Sequence, residues 1–204
     1  MLENERVVVE KFVVQPGERT GTRSHSSDRL LVFLKGGVIT SPQGRSTWWR
    51  EGRVAWQSAH SATDRAGLSG INSGAAAIEM ICVSLKPVAS APTRTEPAIE
   101  AVSPYVDYPN VPGEDLLENE RVIVQRFTVN PGQWEGVHAH HPDTLYIHIK
   151  GGQWAVRSNN EPEYTYSEAS PDGEVGWMTP IDLGEGHESG NVGEEPIDLI
   201  WVTL

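Results

Sequence analysis

Leu2-Glu3-Asn4-Glu5-Arg6-Val7 returns unchanged as Leu117-Glu118-Asn119-Glu120-Arg121-Val122, and the match extends well beyond this string. Residues 2–37 align with 117–152 without a gap, at an offset of 115. Phe12, Pro16, Gly17, Gly21, His25, Asp28, Leu30, Lys35, Gly36 and Gly37 meet Phe127, Pro131, Gly132, Gly136, His140, Asp143, Leu145, Lys150, Gly151 and Gly152. Downstream the offset becomes 121, at Gly52/Gly173 and Trp56/Trp177. It then settles at 119, at Gly67/Gly186, Asn72/Asn191 and Leu85/Leu204. Two copies that differ by small loop changes make a duplicated domain; a solenoid needs more stacked units.

Inside each copy the apolar runs are short and rich in β-branched residues: Val7–Val14, Leu30–Leu34, Val122–Val129, Leu145–Ile149 and Leu199–Leu204. Pro-Gly and Gly-Gly pairs bound them, and the chain carries 20 Gly and 14 Pro, as a turn-rich β protein requires. No segment has an apolar stripe at helical spacing with caps. The reading is an all-β chain of two tandem jelly-roll barrels, 1–86 and 114–204. Residues 87–113, with Pro87, Pro92, Pro97, Pro104, Pro109 and Pro112, have no periodicity and read as an extended linker.

The 204 residues carry a net charge of −12, split unevenly: +3 over residues 1–86 and −13 over 114–204. Such acidity excludes general nucleic-acid binding, which needs a basic face. No run approaches the roughly 18 apolar residues of a membrane span, and the polar, acidic start is not a secretory signal. One cysteine, Cys82, excludes a disulfide framework and a multi-Cys zinc site and points to a cytoplasmic protein. Cys82 falls on an apolar strand with no cation placed beside it, and reads as an inert core thiol.

Five of the seven histidines are in the second copy: His138, His140, His141, His148 and His187. Residues two apart on a strand face the same way, so His138 and His140 can enter one barrel interior. A strand return can bring His187 beside them. Three imidazoles converging on one point suit Fe, Cu, Ni or Zn and leave positions open. By alternation from Thr144, Tyr146 and His148 also face inward. His148 is either a satisfied core histidine or an acid–base group or further ligand near the metal. In the first copy Arg23 and Leu68 stand where His138 and His187 do, Arg29 replaces Thr144, and only His25 survives. Arg23 and Arg29 read as paired with carboxylates inside a filled barrel, with an anion pocket as the alternative. No function attaches to His60.

The C-terminal copy resembles the cupin superfamily. The first cupin motif runs Gly, five residues, His-x-His, three or four residues, Glu, six residues, Gly. Here Gly132, His138, His140 and Gly151 fit it, with Thr144 where Glu is expected. Gly184, His187 and Asn191 match the second motif. The resemblance covers both copies, hence a bicupin, and His138 to Asp143 with Asn119 to Val122 is similar to small cupins labelled β-alanine-degradation proteins. It implies a three-His metal site of His138, His140 and His187 without the carboxylate. The favoured metal is Fe(II), with Mn, Ni or Zn as other occupants. Asp143 is adjacent and reads as a turn residue, since its counterpart Asp28 is in the copy without a site.

The leading expectation is a metal-dependent enzyme acting on a small molecule, dioxygenase-like, with His148 and Tyr146 as catalytic side chains. Isomerase, cyclase or lyase chemistry and a non-catalytic sensor or binding module are the alternatives. A pocket left open by Tyr146, His148 and Trp154 would favour turnover, and a closed one a structural metal. Neither nucleic acid nor membrane is an expected partner, and a homodimer remains open to the chain.

Overall fold

The repeated Asn-Glu-Arg-Val string is a capped turn. In the computed structural model, Asn4 Oδ1 accepts the backbone N–H groups of Arg6 and Val7 at 2.8 and 2.9 Å. Asn119 Oδ1 accepts those of Arg121 and Val122 at 2.8 and 3.1 Å. The short Asn side chain thus mimics a backbone turn and delivers the chain into a strand in both copies. The structure describes residues 1–20, 26–59, 68–87, 103–159 and 161–204. Arg23, His25 and His60 lie outside them.

The chain divides after Arg94 into two units. The first holds β1 (Leu2–Glu3), β2 (Val7–Val14), β3 (Arg19–Thr20), β4 (Arg29–Lys35), β5 (Gly37–Thr40), β6 (Ser46–Trp49), β7 (Val54–Gln57), β8 (Gly70–Asn72) and β9 (Ile78–Leu85). These form a five-stranded sheet, β1-β2-β9-β4-β7, and a four-stranded sheet, β3-β8-β5-β6. The second unit holds β10 (Gly113–Glu118), β11 (Ile123–Val129), β12 (Thr144–Lys150), β13 (Gly152–Ser158), β14 (Tyr166–Ser170), β15 (Val175–Trp177), β16 (His187–Asn191) and β17 (Ile197–Thr203). Its sheets are β10-β11-β17-β12-β15 and β14-β13-β16. The strand pairings are antiparallel, and the described residues contain no α-helix, only a three-residue 3₁₀ turn at Leu183–Glu185. Among them no helix is long and apolar enough to cross a membrane.

The copies share their register. Leu31 faces Cys82 and Phe33 faces Met80 across β4 and β9; Tyr146 faces Trp201 and His148 faces Leu199 across β12 and β17. Each pair then slips by one residue at the same place, between Phe33 and Lys35 and between His148 and Lys150. The Gly that follows is demanded by crowding: a Cβ on Gly36 would lie 2.2 Å from the Trp49 carbonyl oxygen, and one on Gly151 1.9 Å from that of Ser170. The Asn of the second motif is structural in both units. Asn72 Nδ2 donates to the carbonyls of Val14 and Ala76, and Asn191 Nδ2 to those of Val129 and Glu195. Both are fully buried and pin the turn before the last long strand.

Equivalent positions carry different fillings. The first unit packs Leu31, Phe33, Ile39, Trp49, Ala55, Leu68, Met80 and Cys82 into one apolar core, with Phe33 stacked on Trp49 at 4.7 Å. At the repeat-equivalent positions the second unit has Tyr146, His148, Trp154, Ser170, Gly176, His187, Leu199 and Trp201. Leu68, the counterpart of His187, is core. Cys82 is buried, and burial pushes its thiol up, in line with an inert thiol. Arg29 Nε is buried without a hydrogen-bond partner.

The segment expected as linker behaves differently in its second part. Val106, Tyr108 and Val111 are buried in the core of the second unit, with Tyr108 packed 4.5 Å from Phe127. A Pro-rich stretch lacks periodicity because it makes no ladder, yet it can still anchor through single apolar side chains.

Candidate metal centre

His138 and His140 lie before β12, on a segment held against β16 and its flank. His138 N–H donates to the His187 carbonyl at 3.2 Å, and Glu135 N–H to that of Ser189 at 2.9 Å. His187 opens β16 itself. Three ligand atoms, one from each of His138, His140 and His187, lie within 4.8 Å of one another. His138 and His140 are each 1 % exposed.

Proton positions follow from the partners. His138 Nδ1 is 2.8 Å from the Gly136 carbonyl oxygen. A carbonyl only accepts, so Nδ1 carries the proton and Nε2 presents a lone pair. That Nε2 is 2.9 Å from His140 Nε2, so a proton or a cation lies between them. His187 Nε2 is buried with no hydrogen-bond partner. Burial pushes His138 down to about 4 and His140 to about 2, and lowers His187 as well. The three rings are neutral near pH 7, the state in which imidazole binds metal. An orphaned buried nitrogen on His187, the His138 Nε2 lone pair and neutral rings fit a divalent transition metal.

Charged groups brace this arrangement. Glu188, fully buried, accepts Gly136 N–H at Oε1 and Arg157 Nε–H at Oε2, at 3.1 and 2.7 Å. The Arg157 guanidinium lies 3.8 Å over the Trp134 ring. Gly136, clamped in this way, is the residue whose carbonyl orients His138.

A cavity of about 160 Å³ adjoins the imidazoles. It is lined by Tyr108, Glu135, Tyr146, His148, Trp154 and Trp201 among others, with exposed Glu168 also on its wall. Among the described residues no Lys or Arg lines it. His148 Nδ1 is 3.5 Å from Glu174 Oε2; burial lowers this imidazole, opposed by Glu174. Tyr146 gains its place from Gly176, where a Cβ would sit 2.4 Å from the phenol oxygen.

No family model matches the sequence, and no curated protein matches it. Solved structures match along nearly the whole chain. A cupin 2 conserved barrel domain protein from Leptotrichia buccalis has a TM-score of 0.54 at 10 % identity, over 100 % of this chain and 86 % of that one. The protein YhaK from Escherichia coli has a TM-score of 0.53 at 15 % identity, over 96 % and 83 %. Oxalate decarboxylase from Bacillus subtilis, a protein with Mn(II) centres, has a TM-score of 0.55 at 13 % identity, over 98 % and 69 %. At these identities the likeness is one of fold.

The chain has the cupin fold.

Within this fold the sequence-derived positions divide clearly. His138, His140 and His187 come together, and His148 and Tyr146 line the adjoining cavity. Thr144, at the cupin Glu position, is fully buried with its hydroxyl 3.5 Å from that of Thr203 and is not part of the cavity wall. Asp143 is also absent from that wall; its backbone carbonyl accepts Leu204 N–H at 2.9 Å. Asp28 caps a turn in the first unit, accepting Ala59 N–H at 2.7 Å. Glu135, Glu174, Tyr108 and Ser189 escaped the sequence reading. A signal for three of them existed: their repeat counterparts are Thr20, Arg53 and Gly70, a change of chemistry inside aligned blocks.

Proposed function

We propose that the C-terminal cupin barrel is a metal-dependent enzyme for a small molecule, with Fe(II) dioxygenase-like activity as the assignment. The observation that carries this reading is the convergence of three neutral imidazoles beside an open cavity. A bound divalent metal would supply Lewis acidity and, as iron, a site for dioxygen. The chain's own residues bind, orient and move protons. His138, His140 and His187 hold the metal, with the Gly136 carbonyl fixing the tautomer of the first.

The wall chemistry narrows the substrate. A cavity of about 160 Å³ accepts a molecule of roughly benzene size. Trp154, Trp201, Tyr146 and Leu199 favour a flat or apolar body. With no Lys or Arg on the wall among the described residues, the metal is the one positive group placed to balance an anion there. The substrate class is therefore a small, singly charged or neutral oxygen chelator, such as a diketone or catechol. His148, whose Nδ1 lies 3.5 Å from Glu174 Oε2, is the side chain placed to exchange a proton with it, and the Tyr146 phenol stands beside that ring at 5.2 Å.

Tyr146, His148 and Trp154 line the cavity without closing it, which supports turnover over a structural metal or a sensor. The test is metal analysis of protein purified without added metals or chelators, followed by oxygen uptake on small diketones, thiols and catechols. About one metal per chain, lost in His187→Ala, and oxygen uptake that falls in His148→Ala are expected. Metal retained by His187→Ala, or no turnover on any member of the panel, would overturn the reading.

A further inference from the structure

His148 has two ring nitrogens, and only one of them is free to meet a substrate. We infer that Glu174 is the positioning residue of this cavity: it holds the His148 proton on Nδ1 and so presents the Nε2 lone pair to the bound molecule. The inference deepens the proposed function and rests on it for what the imidazole acts upon. His148 is 4 % exposed and lines the cavity. Its Nδ1 and the Glu174 Oε2 are both buried, neither has a hydrogen-bond partner elsewhere, and they face each other at 3.5 Å. Two lone pairs so placed would repel, and a carboxylate oxygen only accepts, so the proton belongs on Nδ1. That leaves Nε2 as the ring nitrogen for the cavity. A contact of this length is usual before a substrate is bound, since catalytic hydrogen bonds tighten in the complex.

The backbone sets this meeting. His148 N–H donates to the Glu174 carbonyl at 2.9 Å, and Gly173 N–H to the His148 carbonyl at 2.7 Å. The turn before β15 is thereby bracketed to β12 at the residue where the β12–β17 register slips. Tyr146 and Trp154 pack on the imidazole at centroid distances of 5.2 and 5.8 Å, Trp154 nearly parallel to it. Ring rotation, which would exchange the two nitrogens, is opposed on these faces.

The first unit keeps the bracket and changes the pair. Phe33 N–H donates to the Arg53 carbonyl at 3.0 Å, and Gly52 N–H to the Phe33 carbonyl at 2.8 Å, the repeat equivalents of the bonds at His148 and Glu174. With Phe in place of the imidazole, the acid is replaced by Arg53, whose guanidinium lies 5.0 Å over the Trp49 ring. The turn therefore does not need an acid to form. Glu174 accompanies the imidazole, and the imidazole accompanies the cavity.

The experiment reads the tautomer directly, on the full-length, metal-free chain labelled with ¹⁵N-histidine, by two-bond ¹H–¹⁵N correlation spectra near pH 7. The His148 ring is assigned by its loss in His148→Gln. The parent is expected to hold the proton on Nδ1 by about tenfold or more over Nε2, the selection that one hydrogen bond to a charged group provides. Glu174→Ala is expected to lower that ratio at least about fivefold. Asp172→Asn, which alters the neighbouring carboxylate of the same turn, stays within about twofold. Near-UV circular dichroism checks that each variant is folded. On any panel substrate that turns over, Glu174→Ala is expected to lower kcat about tenfold or more with KM within about threefold. A parent with its proton on Nε2, or a ratio unchanged within twofold in folded Glu174→Ala, would overturn the inference. The tautomer is read without metal or substrate, so absent metal or absent turnover overturns the proposed function and leaves the role of Glu174 toward His148 standing.

Discussion

Replacing His138 by Asn should make the metal-free chain more tolerant of acid. Burial holds His138 at about 4, against about 6.5 in an unfolded chain. The native state therefore binds fewer protons than the unfolded state below pH 6.5, and stability falls as pH drops from 6.5 toward 4. Between pH 7 and pH 5 the linked loss for this one ring is about 2 kcal/mol. Asn places its amide N–H where Nδ1–H donates to the Gly136 carbonyl, so the orienting bond survives and only the titration is lost. Glu135 works in the other direction. Burial raises it to about 8, so the native state loses stability as pH rises from about 4.5 to 8. The parent curve is a sum of opposed slopes, and the informative quantity is the difference between chains. Urea denaturation of chelator-treated protein at pH 7 and pH 5 measures it. His138→Asn should lose about 2 kcal/mol less than the parent over that interval. Equal losses in both proteins would refute the claim that burial keeps this ring neutral.

Asn191→Ala should cost about 2–4 kcal/mol, because the carbonyl of Val129 is left buried without its donor; Asn72→Ala should cost a similar amount in the first unit, both read by urea titration. Gly151→Ala should be among the most damaging single-methyl additions, since its Cβ meets the Ser170 carbonyl oxygen at 1.9 Å, and soluble yield with melting temperature reports it. Leu68→Ala should destabilise the first unit by about 2–5 kcal/mol while leaving metal content untouched. Cys82 should react with a thiol reagent only on unfolding, given its burial and raised thiol pKa; rapid reaction in native buffer would contradict its place in the core.

Much of this architecture is written in the repeat. Val7–Val14 is the observed β2, and the other strand readings fall within a few residues of β4, β11, β12 and β17, because each is a β-branched run between Gly or Pro turns. His138, His140 and His187 were legible from their motif spacing, although the structure places only His187 on a strand and holds His138 and His140 on a bridged segment before β12. Glu135 was not, since an acid three residues before a histidine carries no period of its own and its burial depends on Ser189 and Tyr108 from distant segments. Tyr108 was hidden in a Pro-rich stretch that makes no ladder, where pattern is silent and only tertiary contact assigns a role. Glu174 reaches His148 through a loop whose position depends on pairing between β12 and β15, a relation no linear spacing encodes.

The features common to the two units include much of the walls: the Asn-capped turns, the crowded glycines, the slipped register and an ion pair across the sheet, Lys11 with Glu79 in one and Arg126 with Asp198 in the other. None of them depends on what the walls enclose. Shell and contents are thus separately editable, and the doubled chain carries one shell in two editions, one packed with apolar side chains and one lined around a cavity. A lineage holding such a spare can rewrite one interior residue by residue without ever dismantling the scaffold. For an engineer the first unit is equally a ready blank, in which Phe33, Leu31, Leu68 and Cys82 mark the four positions to carve first.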